Sequence, residues 1–227
     1  SIAISPAMQA RFAIDADRLP PNELISHLLR AEVDLLWNGG IGTYIKASSE
    51  SHTDVGDKSN DALRINADEL RCRVIGEGGN LGMSQLARVE YGLAGGRSNT
   101  DFIDNAGGVD CSDHEVNIKI LLNAVVERGD LTGKQRNVLL EDMTDSVAAL
   151  VLQNNYRQTQ AISLAEAEVQ ERSGEYRRYI SNLEAAGKLN RQLEFIPSDQ
   201  DLADRRVQGQ GLTRPELGVL VSYSKAI

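Results

Sequence analysis

The chain has 227 residues and a formal net charge of −9, with 41% hydrophobic and 25% charged residues. That is enough for one large domain or two small ones, in a composition ordinary for a globular protein. The acidic balance argues against a broad nucleic-acid surface, which needs clustered Lys and Arg, and no apolar run is long enough to span a membrane.

Cys72 and Cys111 lie far apart, and His27, His52 and His114 form no ligand spacing. A reduced, cytoplasmic protein with no metal site is therefore expected. The chain starts at Ser1 without a secretory signal and stops at Ile227 inside what reads as a helix. A fragment of a longer protein is expected.

Pro20-Pro21-Asn22 precedes a helix near 22–31, with Leu24, Leu28 and Ala31 on one face. Val33 to Trp37 reads as a buried strand, and residues 46–60 as an exposed loop rich in Ser, Asp, Asn and Gly. Asn66 to Glu69 begins a short helical turn, and Arg73 to Glu77 is the next strand. Ser84 opens a helix with Leu86, Val89 and Leu93 at helical spacing, and Asp101 to Asp104 reads as a third strand. Strand–helix alternation of this kind points to a parallel α/β sheet.

After Val109 the pattern turns helical. Ser112-x-x-Glu115 is a capping-box sequence ahead of Ile118, Leu121, Leu122 and Val125, and Gly129 is the expected stop. Thr132-x-x-Gln135, Ser163-x-x-Glu166 and Thr213-x-x-Glu216 mark further starts near 133, 164 and 214, with Gly174 and Gly187 as breaks. Residues 130–227 thus read as helical, without strands.

Three elements join a strand to a glycine-rich turn: Asp34 to Gly40, Val74 to Asn80, and Asp101 to Val109. Ligands of open α/β sheets bind beyond the carboxyl ends of strands, where glycine lets backbone approach closely. Each loop alone reads better as a tight turn than as a ligand site; three on one edge point to a nucleotide or small-molecule site. Asn105, Asn80 and Asn38 are able to pair with a carboxamide, or serve as turn residues. Ser112 is either a donor to a carboxylate or a helix N-cap. Glu77 is either a buried polar anchor or a strand-end charge. Residues 58–64 read as surface, with Lys58 or Arg64 able to reach a phosphate. No G-x-G-x-x-G, phosphate-loop or G-x-S-x-G motif is present.

Val74-Ile75-Gly76-Glu77-Gly78-Gly79-Asn80 resembles the strand and E-G-A-N loop of glutamate dehydrogenases, with Gly79 in place of alanine. Asn105-Ala106-Gly107-Gly108-Val109, followed by Ser112, resembles that family's N-A-G-G-V-x-x-S segment. Trp37 to Tyr44 and Lys58 to Arg64 are similar to the large bacterial NAD-specific members, although the ordinary family has a Pro-Ala-Ala type loop where Asn38-Gly39-Gly40 stands.

The resemblance implies the C-terminal half of an NAD-binding Rossmann-type domain over 1–111. A helical region with a long hinge-type helix would follow over 112–227. The phosphate-binding loop and the catalytic lysine and aspartate would lie upstream, so no catalytic residue is expected here. Asn105 would hydrogen-bond the nicotinamide carboxamide, Asn80, Gly79, Asn38 and Gly39 would line the cofactor, and Ser112 would contact the glutamate side-chain carboxylate. The whole enzyme would convert L-glutamate to 2-oxoglutarate and ammonia with NAD, as a homo-oligomer that includes the missing N-terminal domains. Alternatives are a leucine, phenylalanine or valine type dehydrogenase, or a helical interaction module without its own catalysis.

Overall fold

A computed structural model of the chain describes residues 1–225; Ile227 lies outside them. It is mixed α/β and mostly helical, and divides into two compact units, residues 1–104 with 162–227 and residues 105–161.

In the first unit β1 (Ile2–Ala3) pairs antiparallel with β2 (Arg18–Leu19), around α1 (Pro6–Phe12). Then come α2 (Pro21–Leu29), β3 (Leu35–Asn38), β4 (Ile45–Lys46), α3 (His52–Val55), β5 (Ile65–Asn66), β6 (Val74–Glu77), α4 (Gln85–Leu93) and α5 (Asp101–Asp104). Pro21 starts α2, where a missing N–H is harmless. The Ser84 hydroxyl caps α4 by accepting the Ala87 N–H at 3.2 Å.

β3 and β6 run parallel in register, Leu35 opposite Val74 through Asn38 opposite Glu77. β4 and β5 form a second, separate parallel pair. Ile75 and Glu77 point into a core shared with Ile45, Ile65, Met83, Ala87 and Tyr91. Leu35 and Trp37 on the opposite face are 55% and 58% exposed. Parallel sheets normally have both faces covered, so this face is bare in the chain as it stands.

The expected third strand is not there. Asp101 to Asp104 is a helical turn, in which the Ile103 and Asp104 N–H groups both reach the Thr100 carbonyl at 3.1 Å. The third contact of the sheet is instead a single bridge between Val74 and Arg97. Two aspartates three residues apart fall on one side of a helical turn, where both find backbone donors, as described below.

The 46–64 stretch is less open than its composition suggests. Lys46 and Ala47 are buried, and Ser51 with Asp54 builds a capping box on α3. The Arg64 side chain has no exposed area: Nε donates to the Thr43 carbonyl at 2.7 Å, and a terminal nitrogen pairs with Asp61 at 2.6 Å. Arg64 is therefore a buried clamp rather than a surface group reaching for phosphate. Its loop is also tied by Asp57, which accepts from the Thr43 N–H at 2.9 Å and the Asn60 amide at 2.6 Å.

The Asn60 and Thr43 hydrogen bonds, with Ser59, hold the Asp57 carboxyl down at about 2. A depressed pKa stabilises the fold fully above the unfolded value of about 3.9, and the contribution fades as pH falls toward the folded value. In Asp57→Asn we expect lower stability at neutral pH and a shallower acid-side decline between about pH 4 and 2. Superimposable pH–stability curves for the two proteins would refute this.

The second unit carries α6 (Ala106–Glu127), α7 (Gly133–Asp142) and the first part of α8 (Thr144–Glu168). Asn105-Ala106-Gly107-Gly108-Val109 is not a glycine turn: Asn105 is the N-cap position and the glycines lie in the first turn of α6. A Cβ on Gly107 would sit 3.7 Å from Asn155 and 3.9 Å from Val151 of α8, so a small residue there admits close helix approach. Ser112 to Glu115 is interior to α6, and Ser163 to Glu166 interior to α8, so neither is a capping box. Both spacings match the box, but neither serine sits at a helix start. Thr132 with Gln135 is one, ahead of α7, and Gly129 ends α6 with φ 79°.

From residue 162 the chain belongs to the first unit again and stays helical through α9 (Ser173–Ala185), α10 (Asp199–Val207) and α11 (Arg214–Ser224). Gly174 falls within α9 rather than at a break, whereas Gly187, at φ 66°, follows its end. Thr213 and Glu216 form the expected box on α11. Ile103, Ile162, Ile180 and Leu217 pack in this region's core.

Candidate functional site

Both glycine loops of the first unit leave the carboxyl ends of the paired strands β3 and β6. Asn38 stands opposite Glu77, and the Gly78 N–H donates to the Asn38 carbonyl at 2.8 Å. Asn38, Gly39, Gly79 and Asn80 are thereby brought to one edge. The Asn38 carboxamide makes no hydrogen bond among the described residues and lies against Gly82, where a side chain would collide with it. It is a donor–acceptor pair available to a ligand.

Glu77 is the anchor of the 78–83 loop. It is fully buried and receives two hydrogen bonds from Arg88, at 2.7 and 2.8 Å, plus the Met83 N–H at 2.9 Å. The α5 turn closes the loop from outside. Asp104 accepts the Glu77 N–H at 3.0 Å, and Asp101 accepts the Leu81 N–H at 2.8 Å. Asp101 also lies 3.4 Å from Arg88. Three carboxylates thus surround one guanidinium, and burial raises the Glu77 and Asp104 carboxyls above their ordinary range despite the nearby cations. Leu81 is held at φ 58°, a region costly for a side chain with a Cβ. The backbone of this loop is preset rather than slack.

Arg88, Asp101 and Asp104 do not stand out in the sequence as parts of the site. The available signal was Asp101-x-x-Asp104, whose spacing fits two carboxylates on one helical face and disfavours a buried strand.

The two departures from the ordinary family pattern prove to be one packing event. A Cβ on Gly79 would lie 2.8 Å from the Gly40 carbonyl oxygen, a backbone atom that cannot rotate away. The Asn38-Gly39-Gly40 turn therefore occupies space that an alanine at 79 would need. We expect Gly79→Ala to displace the turn and destabilise the chain by about 1–3 kcal/mol, read as a lower urea midpoint. An unchanged midpoint would mean the two loops are not in contact in solution.

Trp37 is laid on the same strand ends. Cβ atoms at Gly76 and Gly78 would come within 2.6 and 2.7 Å of its indole. Only glycine at both positions lets the ring lie flat.

Asn105 and Ser112 belong to the second unit. They are seven residues apart across the start of α6, which places them on one helix face two turns apart. The Ser112 hydroxyl is exposed and donates to the Val109 carbonyl at 2.8 Å. A serine hydroxyl rotates, so this bond is exchangeable for one to a ligand. Among the described residues no group of His, Cys, Asp and Glu is placed to hold a metal ion, and no helix is long and apolar enough to cross a membrane.

Residues 1–165 match the model of a family described as bacterial NAD-glutamate dehydrogenase, catalytic domain. The chain is 70% identical, over 99% of its length, to an NAD-specific glutamate dehydrogenase of Pseudomonas aeruginosa. It is 62% identical over its whole length to one of Halomonas elongata, and 49% identical over 99% of its length to one of Mycobacterium tuberculosis. It spans 14% of the length of each of these relatives.

Proposed function

Because the chain belongs to the bacterial NAD-glutamate dehydrogenase catalytic-domain family, we propose that it is part of an enzyme oxidatively deaminating L-glutamate to 2-oxoglutarate and ammonia. When bound, NAD would supply the hydride acceptor. The observation that carries this reading is the glycine-loop edge. Asn38, Gly39, Gly79 and Asn80 meet at the carboxyl ends of two parallel strands, on a loop preset by Glu77, Arg88, Asp101 and Asp104. Such an edge is where α/β sheets take nucleotides.

The residues present fit a nicotinamide dinucleotide in part. The glycines admit backbone approach, and the Asn38 carboxamide is available for pairing. We assign Asn105 to the nicotinamide carboxamide, Asn80, Gly79, Asn38 and Gly39 to cofactor binding, and Ser112 to the glutamate side-chain carboxylate. The role of these residues is to bind and orient the reacting partners.

We further read the first unit's sheet as part of a Rossmann-type domain, and residues 112–227 as the helical region after it. Two observations support this: the bare face at Leu35 and Trp37, and relatives far longer than this chain. The rest of the polypeptide would supply the missing strands and catalytic groups. A cytoplasmic homo-oligomer completes the proposal; the separate free thiols of Cys72 and Cys111 accord with a reducing compartment.

The test is glutamate-dependent NADH production by the full-length enzyme, wild type against Asn105→Ala, with NADH binding measured in parallel. Loss of the carboxamide contact should lower kcat/KM at least about tenfold, equivalent to one hydrogen bond of about 1.4 kcal/mol. A mutant indistinguishable from wild type in both measurements would make Asn105 a helix-start residue only.

A further inference from the structure

The helical part of the first unit holds a cavity with a chemistry of its own. It is about 330 Å³ and lies between residues 169–177 and 202–212. That volume is within the range of small-molecule sites. Val169, Tyr176, Leu202 and Leu212 supply apolar lining, and Val169 and Leu212 are buried. No Asp or Glu is among the lining residues, in a chain whose net charge is −9.

Two arginines also line it. Arg177 shares only a 3.5 Å ion pair with Asp199, with both side chains about half exposed. Arg206 makes no side-chain hydrogen bond or ion pair among the described residues. In the same region Arg205 pairs with Glu216, Arg191 with Glu184 and Asp199, and Arg214 with Glu166, whereas Arg178, outside the cavity lining, is exposed like Arg206. An unpaired guanidinium beside an apolar hollow matches a ligand with an anionic end and an apolar body.

We propose that this cavity binds a small carboxylate carrying a compact apolar group. The apolar body occupies the space among Val169, Tyr176, Leu202 and Leu212, and the carboxylate pairs with Arg206. The site lies outside the residues that match the catalytic-domain model and shares none of the glycine-loop residues. It is a second site, independent of the dehydrogenase reading.

The experiment titrates the full-length protein carrying this chain with 4-phenylbutanoate and, separately, with 4-phenylbutan-1-ol, which has the same body and no charge. Calorimetry and ligand-observed NMR report binding. Two variants locate it. Arg206→Gln removes the charge from an exposed position. Gly174→Leu adds bulk to the lining at a position where a Cβ meets no atom within 4 Å.

The acid should bind saturably to wild type and at least about tenfold more weakly to Arg206→Gln, a charge-assisted contact being lost. The alcohol should bind weakly and ignore Arg206→Gln. Gly174→Leu should abolish both. Equal binding of acid and alcohol, wild-type affinity in Arg206→Gln, or no saturable binding of the acid at millimolar concentration would each overturn the proposal. Arg206→Gln decides it even where Gly174→Leu melts early.

Discussion

Replacing Arg88 with methionine should remove about 3–5 kcal/mol of stability, the usual penalty for leaving one member of a buried ion pair without the other. Arg88 and Glu77 are both almost fully buried, joined by two hydrogen bonds of 2.7 and 2.8 Å. In Arg88→Met the Glu77 carboxylate would remain in the core with only the Met83 N–H to stabilise its charge. Asp101 and Asp104 would then repel it without a cation between them.

The pH dependence gives the cause. Burial already raises the Glu77 carboxyl, and losing Arg88 raises it further. A carboxyl that binds its proton more tightly when folded stabilises the fold most below its unfolded pKa, and that stability is lost as pH rises. The deficit of Arg88→Met should therefore be greatest at neutral pH and shrink on acidification. Adding Glu77→Gln to Arg88→Met should recover part of the loss, because the fully buried carboxylate is then gone and only the less buried Asp101 and Asp104, which keep their backbone N–H donors, go without the cation. Urea denaturation at several pH values measures all three proteins. A deficit that is independent of pH, or undiminished in the double variant, would locate the effect in packing instead.

The second large effect is expected at Glu216. Its carboxylate is fully buried and accepts four hydrogen bonds. Two come from Arg205, both at 2.9 Å, one from the Thr213 N–H at 2.6 Å and one from the Thr213 hydroxyl at 2.8 Å. One side chain thus caps α11 and neutralises a mostly buried arginine. Glu216→Ala removes the cap, worth about 1 kcal/mol, and strands Arg205, so a loss of about 3–5 kcal/mol is expected.

Glu216→Gln separates the two roles. The amide oxygen still accepts from Thr213, whereas the amide nitrogen is a donor facing a donor at Arg205. It should fall between wild type and alanine. A glutamine variant as stable as wild type would show that the ion pair contributes nothing and that the cap alone matters. Thermal melting by circular dichroism suffices for this comparison.

Local chemistry was enough to read much of this chain. Pro21 and Ser84 announce α2 and α4, Thr132 with Gln135 and Thr213 with Glu216 announce α7 and α11, and Gly129 and Gly187 end α6 and α9. Each signal acts within one helical turn, so no distant residue is needed to complete it. The glycine-loop wording likewise carried the family, because close backbone approach demands particular residues at particular places.

What failed were segments whose outcome depends on remote partners. Asp101 to Asp104 has the apolar centre of a strand, but two carboxylates find their donors, the Glu77 and Leu81 N–H groups, only in the helical form. Ser112 and Ser163 carry capping sequences inside helices already started at Ala106 and Thr144. A spacing cannot tell a helix start from its interior. Arg64 looked like surface until Thr43, Asp57 and Asp61 closed around it.

The same holds for the Gly79–Gly40 contact and the Glu77–Arg88 pair, each of which joins segments separated in sequence. The sequence by itself determined the starts of α2, α4, α7 and α11, the ends of α6 and α9, the strands β3 and β6, and the family. Tertiary structure alone decided which charges are buried and which glycines are needed, because burial and close approach are properties of pairs that the order of residues does not bring together.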